Sequence, residues 1–154
     1  MTVASAEQRL KNLGVQLPPP PKPLGAYVEA VPAGSVLYLS GTLPMEGGVP
    51  QFKGRFGAGL TVEEGKRAAR LAALNSLALA RQHLGSLDKV ARVVRLTVTL
   101  ATTPDFVDHA KVADGASELL ASLFGAERAP TRMVSGVASL PAGASVVVEL
   151  ILAL

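Results

Sequence analysis

The amino-acid sequence predicts an α+β sandwich: one mostly antiparallel sheet with two long helices packed on one face. Three observations carry that expectation. Two stretches, beginning near Thr61 and Thr103, place apolar residues at helical spacing between clear start and stop signals. Several short runs alternate or are apolar throughout, and proline and glycine separate them. The resulting order is strand, strand, helix, strand, helix, strand, strand, with tight turns joining some neighbouring strands, as antiparallel pairing requires.

Taken in order, Ser5 to Leu13 reads as a short helix that Gly14 ends. Pro18 to Pro23 follows as a stiff, extended connector. Residues 1–23 are thus a short helix and a proline-rich connector within a single domain spanning 1–154. Strands are expected at Ala26–Val31 and Ser35–Ser40, a hairpin around Pro32-Ala33-Gly34. Gly41 to Gly59 holds six glycines and two prolines and reads as loop with room for one short strand.

Thr61-Val62-Glu63-Glu64 is a capping box, in which the Thr61 hydroxyl accepts from the Glu64 amide and Glu64 reaches back. The helix runs to about Leu84, and Gly85 stops it. Leu71, Leu74, Ala78 and Arg81 share one stripe, widened by Ala68, Ala72, Leu77 and Leu79. Val90 to Ala101 alternates, with Val94, Leu96, Val98 and Leu100 turned to a core and Arg95, Thr97 and Thr99 turned away. Thr103-Pro104-Asp105 opens the second helix with a capping threonine, a first-turn proline and an acid at the positive end. Asp114-Gly115 is expected to loosen its middle, before the stripe Ala116, Leu119, Leu120, Leu123 and Phe124. Strands over 131–138 and 145–153 close the chain. The last is apolar on both sides, so one set of side chains meets the helices and the other set calls for a second subunit.

Composition narrows the function. At 154 residues one domain with one core is expected. With 49% hydrophobic and only 18% charged residues, the surface is poor in charge, which favours an oligomer. No apolar run approaches the roughly 18 residues of a membrane span, and the first residues lack the apolar stretch of a signal peptide. The expected location is cytoplasmic, with no membrane partner. The chain has no cysteine, which removes disulfides, thiolate nucleophiles and cysteine-based metal sites. A net charge of +3, carried by scattered Lys and Arg, and 4% aromatic residues argue against nucleic-acid binding.

The candidates for chemistry are few. His83 and His109 are the two histidines, and neither stands in a metal-binding spacing, so neither a metal nor another cofactor is expected. No GxSxG elbow is present. Gly59 to Lys66 imitates a phosphate loop with one residue too many, followed by Arg67 instead of Ser or Thr, so Gly65-Lys66 reads as the exposed first turn of a helix. Glu63-Glu64 reads as helix-start acids, and Glu29 and Glu149 as strand residues facing solvent or a base. Arg132 stands out. Its planar fork suits a carboxylate, and strand alternation groups it with Val134, Gly136 and Ala138. Gly136 would leave room beside the guanidinium and Val134 would supply an apolar wall for a small 2-oxo or 2-imino acid. The competing assignment is a structural ion pair with a partner such as Glu149, and the residues alone favour that pair.

Several segments in a shared order then resemble a known family. They are Gly25-Ala26-Tyr27-Val28, Leu39-Ser40-Gly41-Thr42-Leu43-Pro44, Gly85-Ser86-Leu87-Asp88-Lys89-Val90, Thr131-Arg132 with Leu140-Pro141 beginning eight residues past the arginine, and Val148-Glu149. Together they resemble the RidA (YjgF-like) imine/enamine deaminase family, also described as endoribonuclease L-PSP-like. Glu64 to Asn75 and Asp114 to Leu120 resemble a longer branch of undefined activity. The resemblance implies a chorismate-mutase-like fold and a homotrimer with clefts between subunits. Archetypes hydrolyse 2-imino acids to 2-oxo acids and ammonia. It further implies that Arg132 grips the substrate carboxylate and that Tyr27, the Ser40-Gly41 backbone and the Val134 backbone line the site. The archetypal glutamate that positions water falls on Val147 here, which cannot relay a proton. Glu149 lies on the same face but nearly 7 Å further along the strand, where it serves only if the cleft is shifted. The expected function is therefore binding of small 2-imino or 2-oxo acids, with imine hydrolysis as the associated reaction. A non-catalytic metabolite-binding or regulatory module on the same fold is the alternative. Scattered charge and the lack of a histidine acid/base pair argue against ribonuclease activity.

Overall fold

The computed structural model describes residues 2–154. The elements in chain order are α1 (Ala6–Asn12), β1 (Ala30–Ala33), β2 (Val36–Leu39), β3 (Met45–Glu46), β4 (Val49–Pro50), α2 (Val62–Leu84), β5 (Arg92–Ala101), α3 (His109–Phe124), β6 (Thr131–Val137) and β7 (Val146–Ala153). Five strands form one sheet in the order β1-β2-β7-β5-β6, and β3 and β4 pair as a separate hairpin. All neighbours in the main sheet run antiparallel except β5 and β6. That parallel pair is joined through α3, the crossover such a pair needs. The expected α+β architecture is the one observed.

The core lies between one face of the sheet and the helices. Leu37, Leu96, Val98, Leu100, Val146, Val148, Leu150 and Leu152 point into it and are fully buried. The opposite face of the sheet stays open, and the registers Val31↔Tyr38, Tyr38↔Ile151 and Thr97↔Glu149 place these side chains on it. Helix α2 is covered more widely than a single stripe, with Ala68 through Ala80 largely buried, because it contacts β7 on one side and α3 on another. The capping box forms as expected, and Gly85 ends the helix at φ 87°.

The structure corrects several expectations. Gly65 is buried, since a side chain there would run into Phe56 and Val112. Gly115 does not loosen α3. It lets the α3 backbone approach α2, for an added Cβ would meet the Lys66 Cα and carbonyl carbon at 2.7 Å. Helix α3 begins at His109, because Thr103 to Phe106 instead forms a turn closed by the Phe106 amide on the Thr103 carbonyl. Strand β1 sits at Ala30–Ala33, later than expected, and includes Pro32. An edge strand tolerates that missing N–H. Val94 faces solvent, since a bulge between Val93 and Arg95 gives Val93 its core position.

The N-terminal segment is fastened to the helical layer. Ser5 caps α1 by accepting from the Gln8 amide, and Leu10 is buried in the core. Glu7 accepts from Arg81 Nε at 3.1 Å and Nη2 at 2.5 Å, and from the Leu87 amide at 2.9 Å. Burial pushes the Glu7 carboxyl up, but the Arg81 and Leu87 hydrogen bonds and the Arg81 charge outweigh it, so the group sits below its ordinary 4.5. From α1 the chain continues without regular structure to Glu29.

Candidate functional site

The residues singled out from the sequence fall into two groups at different parts of the sheet. The first gathers where β1 begins and β2 ends. Ser40 donates from Oγ to the Val28 carbonyl at 2.6 Å and from its amide to the Glu29 carbonyl at 2.8 Å. Both hydrogen-bond donors of Ser40 are therefore spent on the loop before β1. The next residue, Gly41, has an amide that makes no hydrogen bond among the described residues. Its Cα faces Val147 so closely that an added Cβ would lie 2.8 Å from Val147 Cγ1. Thr42 then anchors the segment, donating from Oγ1 to the Ala72 carbonyl at 2.8 Å and closing a backbone bridge with Val148.

Tyr27 belongs to this group. Its hydroxyl accepts from the Leu24 amide at 3.0 Å, which folds the ring over Gly25 and leaves it half exposed. Tyr27, Glu29, Ser40, Gly41 and the connector Pro18 to Pro23 line one cavity of about 420 Å³. Glu29, read from the sequence only as a strand residue, makes no ion pair among the described residues and stands on this wall. Nothing local in the sequence marks it, because a tertiary fold of the connector brings it there.

The second group lies on β6, the far edge strand. Arg132 is level with Leu96, and Val134 with Val98, so both side chains turn to the helix side of the sheet. Arg132 donates from Nη1 to Asp114 Oδ1 at 2.7 Å and to Ser117 Oγ at 3.0 Å. The expected ion-pair partner Glu149 is thus replaced by Asp114, since Glu149 occupies the opposite face beside Thr97. The Nε and Nη2 edge of the guanidinium makes no hydrogen bond among the described residues. An arginine has five donors in a fixed fork, so Asp114 and Ser117 occupy only one side of it. The space over Gly136 is not beside the guanidinium. A Cβ there would meet His109 Nε2 and Thr102 Oγ1, both at 2.6 Å.

Val147 and Glu149 share the open face, beside Thr99 and Thr97 respectively. Val147 contributes only hydrocarbon next to Gly41. His109 stacks edge-on against Phe106 near the start of α2, whereas His83 is at the far end of that helix. At 1.5 Å per residue the helix separates the two by roughly 25 Å, so one chain cannot use them as a pair. No cluster of three His, Cys, Asp or Glu residues is arranged to hold a metal among the described residues. No helix among them is long and apolar enough to cross a membrane.

Within one chain the two groups remain apart. Three strand-to-strand steps separate β2 from β6, about 14 Å at the spacing of paired strands. A four- or five-carbon acid cannot bridge them. A mixed sheet backed by two helices, with Arg132 on its far edge strand and an unpaired Gly41 amide beyond β2, is the frame of a small α+β domain.

The chain belongs to the family described as "YjgF/chorismate_mutase-like, putative endoribonuclease", whose model matches residues 7–154. Protein TCP17 of Trypanosoma cruzi is 43% identical over 141 residues, covering 91% of this chain and 88% of that protein. A crystal structure from Shewanella oneidensis MR-1, which carries the same endoribonuclease description, superposes with a TM-score of 0.94 at 34% identity, covering 98% of this chain and 100% of the other. RidA from Psychrobacter sp. PAMC 21119 shares the fold at 28% identity and a TM-score of 0.62, covering 88% and 94% of the two chains.

Proposed function

We propose that this protein, acting as one domain over residues 1–154, binds small 2-imino and 2-oxo carboxylic acids in clefts between the subunits of a homotrimer. The observation that carries the reading is the separation of the two residue groups across the sheet. A head-to-tail ring is the symmetric assembly that repeatedly brings one edge of a protomer to a different surface of the next. In it, Arg132 and the Val134 backbone of one copy face the Gly41 amide, Ser40 and Tyr27 of its neighbour. The guanidinium, steadied by Asp114 and Ser117, takes the carboxylate through Nε and Nη2. The Gly41 amide is the donor for the 2-oxo or 2-imino group. The open sheet face, with Val31, Tyr38, Val147 and Ile151, is covered by the neighbours.

Imine hydrolysis is the reaction this arrangement promotes. Fixing the imine carbon for attack by water accelerates an intrinsically easy step by positioning alone. The product is a 2-oxo acid and ammonia. A second reading is favoured by one specific observation: Val147 packs against Gly41 where a proton-relaying carboxylate would be needed. In that reading the cleft only binds its metabolite.

The experiment is to generate 2-imino acids in situ from serine or threonine with a dehydratase and to follow 2-oxo acid formation. Wild-type acceleration that Arg132→Ala abolishes supports the deaminase. No acceleration by wild type, with activity gained in Val147→Glu, supports the binding module. Turnover and 2-oxo acid binding both unchanged in Arg132→Ala would refute the reading.

A further inference from the structure

The cavity beside Ser40-Gly41 is much larger than a small 2-oxo acid requires. Its volume of about 420 Å³ equals roughly fourteen waters at about 30 Å³ each. Its walls are mostly hydrocarbon, from Pro18, Pro21, Leu24, Leu43 and Leu79, with Glu29 among the polar residues on the same wall. Size and lining are those of pockets that enclose the apolar body of a ligand.

The walls are also preorganised. The outer wall is the proline-rich connector, a segment with little conformational freedom to lose. It is held at its start by α1, through Glu7 on Arg81 and Leu87, and by Val15 and Leu17 packed on the core. It is held at its end by Ser40, which binds the Val28 and Glu29 carbonyls. The inner wall is fixed by Asn75, 1% exposed, whose amide nitrogen donates to the Leu43 and Met45 carbonyls at 3.1 and 3.0 Å. Ser40 and Gly41 line this same cavity, so it opens directly onto the donor that receives the reacting end of the ligand.

We infer that this cavity is a side-chain subsite, and that the protein selects 2-oxo or 2-imino acids with a branched or extended apolar side chain over the short ones. The inference rests on the ligand class proposed above and adds the identity of the side chain. Arg132 of the neighbour and the Gly41 amide fix the acid end, and the proline-rich connector covers the hydrocarbon end.

The test is calorimetric titration of the full-length protein with pyruvate and with 4-methyl-2-oxopentanoate, stable stand-ins for the imines. The second carries three more carbons. Each buried methylene strengthens binding by about fourfold, so the longer acid is expected to bind at least tenfold more tightly. Leu79→Phe, which puts a larger side chain at the cavity wall, should reduce the preference without weakening pyruvate. Leu24→Asp, on an exposed part of the wall where folding is not at stake, should weaken the longer acid alone. Equal affinity of wild type for both acids, each lost in Arg132→Ala, would overturn the subsite and leave the proposed function standing. Affinities unaffected by Arg132→Ala, with the preference still reduced by Leu79→Phe and Leu24→Asp, would overturn the arginine's role and keep the subsite. Binding of neither acid would overturn both.

Discussion

Replacing Gly115 with alanine tests the helical layer on which the site is built. In an ordinary helix interior the change stabilises by about 0.8–1.0 kcal/mol, through helix propensity. Here the methyl group would lie 2.7 Å from the Lys66 Cα and carbonyl carbon, while ordinary contact begins near 3.4 Å. Those atoms are backbone in the middle of a helix turn and cannot swing aside, so α2 and α3 must separate. Gly65 makes the approach close from the other helix, against Val112. Overpacking of a tight core costs about 1–3 kcal/mol or more, and a contact with rigid backbone belongs at the upper end. After the propensity gain, a net loss of about 2 kcal/mol is expected. For a chain of this size that lowers Tm by about 4–8 °C. Urea unfolding followed by circular dichroism measures it directly. Stability equal to or above wild type would refute the close crossing.

Three further outcomes are expected. Glu7→Gln should lower stability by about 1 kcal/mol at neutral pH, because it removes charge-assisted hydrogen bonds to Arg81 and Leu87. A carboxyl held below its ordinary 4.5 stabilises the fold above that value, and the contribution disappears as pH falls through the lowered value. The difference in urea midpoint between wild type and Glu7→Gln should therefore be full at pH 6 and shrink below pH 4.5. Thr42→Val, which strips the buried hydroxyl from the Ala72 and Val148 carbonyls, should cost about 1–2 kcal/mol in the same unfolding assay. Gly136→Ala should cost about 1–3 kcal/mol, read as a lower thermal midpoint, since His109 and Thr102 already fill the space above it.

What was legible in the sequence was what is decided locally. The Thr61–Glu64 capping box and the stop at Gly85 depend on a few neighbouring residues, and both form. Alternation along the last strand correctly split Val146, Val148, Leu150 and Leu152 from Val147 and Ile151. Features set by distant partners were not legible. Gly115 looks like a helix weakener until α2 is seen against it. Val94 continues an apparent alternation that a bulge breaks. Strand β1 begins only after the Tyr27 hydroxyl has folded its loop back on Leu24. Among the candidate site residues, Arg132, Tyr27, Ser40, Gly41 and Val134 could be singled out through resemblance, but their distribution over two separated groups could not. Asp114 as the arginine's partner needed the α3–β6 packing. The cavity needed the path of the connector, which composition describes only as stiff.

The central claim is that each site is shared between two copies. The direct measurement is complementation: 2-oxo acid binding by Arg132→Ala, by Gly41→Val, and by a co-refolded equal mixture of the two. Each variant alone should lose at least tenfold in affinity, one by removing the carboxylate fork and the other by crowding Val147 and blocking the amide. In the mixture, about a quarter of the interfaces in a head-to-tail ring join an intact Arg132 to an intact Gly41, so binding at wild-type affinity should return with about a quarter of the stoichiometry. No recovery in a mixture shown to form mixed oligomers would contradict the account.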